Sequence, residues 1–216
     1  MGSDGMVQRA YKYRFYPTPG QEDLLRRTIG CCRLVYNKAL AARTEAWTAR
    51  RESVSYNQTS TMLTGWKKTE ELAFLREVSS VPLQQSLRHL QAAFSNFFDG
   101  TADYPRFKKK SRGGSATFVR SAFTWDGRTL KLAKMDRPLD IHWSRPLPDG
   151  AYPVNVTISL DSAGRWHVSI LVEEHVAALP KAEGEVGVDM GVGSFATLST
   201  GEKIDSPGLR KRNAKR

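Results

Sequence analysis

Val7 to Phe15 is the stretch that most limits how this chain can fold. Val7, Tyr11, Tyr13 and Phe15 share one face, with Arg9 among them, while Gln8, Lys12 and Arg14 point the other way. That is the period-two pattern of a strand with one apolar and one basic face. A lone strand cannot bury its apolar face, so a partner must come from elsewhere in the chain. The next residues do not supply it. Thr18-Pro19-Gly20-Gln21 is a helix start, a capping box with proline at the first helical position, and Leu25, Ile29, Cys32, Tyr36, Leu40, Arg43 and Trp47 then recur at helical spacing. Gly30 costs about 1 kcal/mol relative to alanine inside a helix and predicts a break there. Further helices are expected over Thr59 to Lys68, around Glu70 to Glu77, and from Ser80-Val81-Pro82, whose Leu83, Leu87, Leu90, Phe94 and Phe97 form a core stripe. Residues 18–100 thus read as an up-down helical bundle.

From Ala116 the period returns to two. Phe118 to Trp125 and Thr129 to Ala133 flank an Asp126-Gly127 turn, Leu139 to Trp143 is a third strand, and Val154 to Leu160 and Arg165 to Val172 flank Asp161 to Gly164. With the first strand these predict an α+β fold, a small β-barrel interrupted by the inserted helical bundle. The expected divisions are a disordered leader at 1–6, the first barrel strand at 7–17, the helical insertion at 18–100 and a basic loop at 101–115. The rest of the barrel follows at 116–174, then a linker at 175–184 and a β-hairpin region with a basic tail at 185–216.

Formal charge is +11 and the sequence pI about 9.8, which favours a polyanionic partner. The excess is concentrated in residues 101–145, which hold 11 basic and 4 acidic residues. There Arg106, Phe107, Lys108, Lys109, Lys110 and Arg112 run between Pro105 and Gly113-Gly114. A charge run is commonly a solvated tail, but cations around one aromatic suit phosphate contact plus base stacking. Lys12 and Arg14 on the first strand and Arg210, Lys211 and Arg212 in the tail are further candidates. Cys31 and Cys32 are the only cysteines and are adjacent, which excludes a disulfide framework and a four-ligand zinc site. A reduced, cytoplasmic, nucleoid-associated protein fits. His89, His142, His167 and His175 lack ligand spacing, and no apolar run reaches the length of a membrane span.

Gly184 to Ile204 reads as a hairpin in which Val186 and Val188 alternate with Gly187 and Asp189, Gly191 and Gly193 turn the chain, and Phe195 to Leu198 return. Asp189 sits mid-strand between apolar residues. Either it holds a divalent metal, as strand-borne aspartates do in phosphodiester chemistry, or it caps turn amides.

Three segments together resemble one family. They are Tyr11-Lys12-Tyr13-Arg14-Phe15-Tyr16-Pro17-Thr18 running into a helix with Arg33-Leu34-Val35-Tyr36-Asn37, then Tyr104-Pro105-Arg106-Phe107-Lys108-Lys109, then Gly187-Val188-Asp189-Met190-Gly191. In order and spacing they are similar to the transposon-encoded TnpB (OrfB) proteins. The resemblance implies a wedge barrel interrupted by a helical recognition lobe and followed by the first hairpin of an RNase H/RuvC-like nuclease. It also implies guide RNA and target double-stranded DNA as partners, no membrane, and Asp189 as the first catalytic, Mg²⁺-binding carboxylate. The family's later carboxylates and zinc module are not in this sequence, since the only acids after Asp189 are Glu202 and Asp205. The expectation is therefore a fragment, truncated product or derivative that binds nucleic acid without cutting it and carries no zinc. Two other readings stand beside this one. Residues 18–50 could be a helix-turn-helix with Gly30 at the turn, in a transcriptional regulator, or the chain could be a structural RNA-binding protein.

Overall fold

The computed structural model describes residues 5–148, 150–176, 184–191 and 194–205. The leader residues 1–4, most of the expected linker, Gly193 and the basic tail with Arg210, Lys211 and Arg212 lie outside the described residues. Two compact units are distinguished, residues 6–176 and a smaller one made of 1–5 with 177–216.

The strand β1 (Gly5–Phe15) leads into the larger unit, and it already includes the end of the expected leader. A long helix α1 (Pro19–Arg50) follows, then α2 (Tyr56–Trp66), a 3₁₀ turn at Ala73–Arg76, and α3 (Ser80–Phe98). The strands β2 (Gly114–Val119), β3 (Phe123–Trp125), β4 (Leu130–Leu132), β5 (Ile141–His142), β6 (Pro153–Leu160) and β7 (Trp166–Val176) complete it. Five of them form one sheet in the order β2-β6-β7-β1-β5. The first strand is therefore interior to a sheet whose other members all follow the helices.

Local chemistry sets the helix starts. Thr18 accepts from the Gln21 amide at 3.4 Å and the Gln21 side chain accepts from the Thr18 amide at 3.1 Å, closing the expected capping box. Gln21 then does more, because its Nε2 donates at 3.1 Å to the carbonyls of both Arg137 and Pro138, tying the helix start to the strand region. A second capping box, Ser55 with Gln58, starts α2 at Tyr56, three residues before the expected Thr59.

The break expected at Gly30 does not form. α1 runs unbroken for 32 residues, with Leu25, Ile29, Cys32, Val35, Tyr36, Ala39 and Leu40 buried on both sides of the glycine. Continuous packing outweighs a local penalty of about 1 kcal/mol. The helices are not a bundle with a core of their own either. α1 and α3 pack on each other and on β2, and one buried cluster joins Leu25, Leu87 and Leu90 to Phe118, Ile158 and Ile170.

No sheet closes into a barrel among the described residues. The strand expected over Phe118 to Trp125 is interrupted by a 3₁₀ turn at Arg120–Ala122, so β2 stays on the edge of the large sheet while β3 pairs with β4 in a separate ribbon. At the opposite edge β5 is too short to bridge, since it pairs only Ile141 with Phe15 and His142 with Arg14. In the smaller unit β8 (Val188–Asp189), β9 (Ala196–Leu198) and β10 (Lys203–Ile204) form an antiparallel sheet in the order β10-β9-β8.

Glycine substitutions should act with opposite signs at two positions. Gly113 has φ +75 and ψ −148, and an added Cβ would meet the Leu160 carbonyl oxygen at 2.3 Å, so Gly113→Ala should destabilise by at least about 2 kcal/mol. A Cβ at Gly30 meets nothing within 4 Å, and Gly30→Ala should stabilise by about 0.5–1 kcal/mol. Chemical denaturation midpoints measure both, and equal effects at the two sites would contradict this reading of the packing.

Candidate nucleic-acid interface

The basic segment leaves α3 through an aromatic anchor. Tyr104 stands edge-on to Phe94 and Phe97, with ring centroids 5.5 and 5.3 Å away, and its hydroxyl lies 2.8 Å from Thr44 Oγ1. Pro105 beside it is buried. Four residues on, the backbone is gripped by α1. Asn37 Nδ2 donates to the Lys108 carbonyl at 3.0 Å and the Lys108 amide donates to Asn37 Oδ1 at 2.9 Å. This reciprocal pair uses one side-chain amide as a strand edge would be used. The far end is fixed by the close approach of Gly113 to Leu160 and of Gly114 to Ile29, where a Cβ would lie 2.4 Å from Ile29 Cγ2.

Between these anchors the side chains stay in water. Arg106, Phe107, Lys109, Lys110 and Arg112 are exposed, Phe107 to 56 %. Lys108 lays its ammonium 4.2 Å from the centre of the Tyr36 ring, and partial burial there pulls its pKa below the usual lysine value. A cleft of about 330 Å³ is lined by Arg33, Arg106, Phe107, Lys108, Lys109 and Arg112. A neighbouring cleft of about 840 Å³ includes Arg26, Arg27, Arg33 and Lys110. Arg26 and Arg27 already pair with Glu22, Asp23 and Glu77, and Arg106 pairs with exposed Asp103. Arg33, Lys108, Lys109, Lys110 and Arg112 make no ion pair among the described residues, so this face holds uncompensated positive charge.

Sequence reasoning missed Arg33 and Asn37 as contributors. The available signal was helical phase, because Arg26, Ile29, Arg33 and Asn37 fall on one face of α1 once that helix is known to be continuous.

Lys12 and Arg14 lie apart from this segment, on the polar face of the large sheet. Lys12 is exposed and Arg14 half-buried, with Arg14 Nη1 and the neighbouring His167 Nδ1 both buried without a hydrogen-bond partner. Burial pushes the His167 pKa down first, and Lys12, Arg14 and Arg165 push it further, against the opposing pull of Asp161. The adjacent thiols are not reactive centres. Cys32 is buried, and burial pushes its pKa up to about 12.

Asp189 is exposed in β8 opposite Thr197. Glu202 and Asp205 are also exposed, and among the described residues no three His, Cys, Asp or Glu side chains come together as a metal site. One carboxylate does not fit Mg²⁺, which takes several oxygen ligands, so no chemistry can be derived through a metal here. No described helix is long and apolar enough to cross a membrane.

The unbroken helix α1 thus sets Arg33 beside a pinned basic segment whose lysines and Arg112 make no ion pair among the described residues. Residues 6–52 match the OrfB, IS605-type family described as a helix-turn-helix domain, although here they form β1 and the unbroken α1 with no turn inside the helix. The chain is 59 % identical over 212 residues to a Streptomyces pristinaespiralis protein provisionally named RNA-guided DNA endonuclease, covering 97 % of this chain and 52 % of that protein. It is 31 % identical over 210 residues to the Escherichia coli K12 protein InsQ, similarly named, covering 96 % and 51 %. A chain in the cryo-EM structure of the Cas12f1–sgRNA–target DNA complex aligns at TM-score 0.41 and 12 % identity, covering 97 % of this chain and 59 % of that one. The chain belongs to the transposon-encoded TnpB (OrfB) family. It spans about half the length of the curated relatives it matches.

The His167 site generates a pH prediction. Neutral when unliganded, His167 should take up a proton when a phosphate settles beside Lys12 and Arg14, because an anion raises the imidazole pKa. Polyanion affinity should therefore rise as pH falls toward and below the ordinary imidazole value of about 6.5, and His167→Gln should flatten that rise. Binding isotherms spanning that value check it, and an identical pH profile in the variant rules the site out.

Proposed function

We propose that this chain binds guide RNA and target double-stranded DNA in the manner its family membership suggests, holding their backbones without cutting them. In this reading the large sheet serves as the wedge, α1 to α3 as the recognition insertion, and the 186–204 strands as the first RuvC-like hairpin. One observation carries it. The segment 104–114 is fixed at three points by groups that are not charged, which leaves Lys109, Lys110 and Arg112, with Arg33 beside them, free to meet phosphates. A merely solvated charge run would need no such fastening.

Asp189 enters as the first carboxylate of a nuclease site that needs others. Asp189 would be one ligand of a divalent ion there, and the ion would supply electrostatic stabilisation of the reacting phosphate only if further carboxylates completed the set. The residues described here supply one corner, and sequence choice would rest on base pairing with the guide.

Two measurements test the reading. Replacing Lys108, Lys109 and Lys110 together by alanine leaves the Asn37 clamp, which uses only backbone atoms of Lys108. It should weaken binding across all sequences and flatten the slope of log affinity against log salt by up to about 0.7–0.9 per lost phosphate contact. An unchanged slope removes the segment from the interface. Separately, the purified chain given guide RNA, target DNA and Mg²⁺ should bind without cleavage, and Asp189→Ala should bind equally well. Cleavage that disappears with Asp189→Ala would overturn the incomplete-site account.

A further inference from the structure

A second feature of the larger unit is not explained by phosphate contact. Trp125 at the end of β3, Trp143 just after β5 and Tyr152 just before β6 converge on an open cleft of about 630 Å³, walled by Pro146, Leu147 and Pro148, with Arg128 also lining it. That volume lies within the range of about 300–1,000 Å³ typical of small-molecule clefts. Three large aromatics from three separate segments sit at its surface, Trp143 exposed to 38 % and Tyr152 to 44 %. Such rings would normally turn into the core. Here the core side is already occupied, since Trp143 meets Tyr13 edge-on at 4.8 Å and Trp125 at 5.8 Å with planes inclined by 57°. The two indoles are tilted against each other rather than stacked face to face.

The charges nearby are also arranged for an anionic ligand. Arg120 holds its guanidinium 4.1 Å from the centre of the Tyr152 ring, and Arg128 lines the opening. Among the described residues lining the cleft the one acid is Asp126, and it is already engaged. Its carboxylate accepts from the amides of Arg128 and Thr129 at 2.9 and 2.6 Å and from the Thr129 hydroxyl at 2.6 Å, and these bonds hold its pKa down at about 2. It has little capacity left to read a ligand's donors, which leaves stacking and cation attraction as the recognition chemistry.

We infer that this cleft takes an unpaired nucleobase of a single-stranded RNA or DNA segment, stacked on the Tyr152 ring beside Trp143, with its phosphate facing Arg120 and Arg128. The inference rests on the nucleic-acid reading above and adds a different class of contact to it. A paired base in a duplex has both faces already stacked and cannot enter, so the cleft discriminates single strands from duplex. Because recognition rests on stacking and on attraction to cations, it accepts different bases with similar strength.

The test uses the full chain with three probes: a short oligo(A) RNA, a blunt duplex of similar length, and inorganic polyphosphate of similar charge. Oligo(A) should quench tryptophan fluorescence, while duplex and polyphosphate bind with little quenching. Tyr152→Ala, which removes a partly exposed ring lying under the Arg120 guanidinium, should weaken oligo(A) binding by about tenfold and leave duplex affinity unchanged. Trp143→Phe keeps a stacking ring and should retain oligo(A) binding with reduced quenching. Quenching by polyphosphate equal to that by oligo(A), or unchanged oligo(A) affinity in Tyr152→Ala, overturns the cleft proposal. The reading of residues 106–112 has its own readout in the salt slope of duplex binding, so either can fail while the other stands.

Discussion

The larger unit depends on a strand that reaches the sheet from the opposite end of the chain. β1 lies between β7 and β5, and the Gln8 side chain donates to Glu173 across 165 residues of sequence. Until those late strands are present, Tyr13 and Phe15 have nothing to cover them. The cost of closing so large a loop grows only slowly with length, which is why the long helical segment between β1 and β2 is tolerated inside a sheet. Once closed, the strand divides the molecule's work. Its apolar face completes the core with Trp166, whose ring lies 5.9 Å from Phe15, and its polar face presents Lys12 and Arg14.

The insertion in turn depends on the sheet. α1 and α3 pack on β2, and the residues that join them to it, Ile29 against Gly114 above all, are the ones that fix the end of the basic segment. Core packing and charge display are therefore the same construction. Arg26 and Arg27, which sit among acids, are neutralised within the fold, whereas Arg33 and the three lysines are not. Like charges held together in this way repel one another, and a polyanion relieves that repulsion.

What could be read from the sequence was what depends on neighbours in sequence. The Thr18–Gln21 capping box, the α3 stripe from Leu83 to Phe94 and the Asp161 to Gly164 hairpin are set within a few residues and are present, while Phe97, expected in the stripe, is only half-buried. What depends on tertiary packing was not legible. Gly30 looked like a break because local propensity counts only its own cost, while the buried residues around it hold the helix straight. The barrel failed for a similar reason, because alternation from Phe118 to Trp125 cannot show that the chain turns at Arg120–Ala122 and changes partners. At the interface, the run from Arg106 to Arg112 was visible as composition, but Asn37 could not be, since its partner is 71 residues away. Asp189 was visible as an acid on a strand, and its chemistry was not, because carboxylates convene only in three dimensions.

The clamp on Lys108 has a consequence for how fast and with what heat a ligand is taken up. A free arginine- and lysine-rich tail must be ordered as it binds, which adds an entropic cost and a slow folding step to association. Here Asn37, Tyr104 and the two glycines hold the backbone in place when the protein itself folds. On the function proposed above, encounter with a phosphate chain would then ask for little more than rotation of exposed side chains. Association is left to diffusion and long-range attraction, so ionic strength governs the on-rate as directly as it governs the equilibrium.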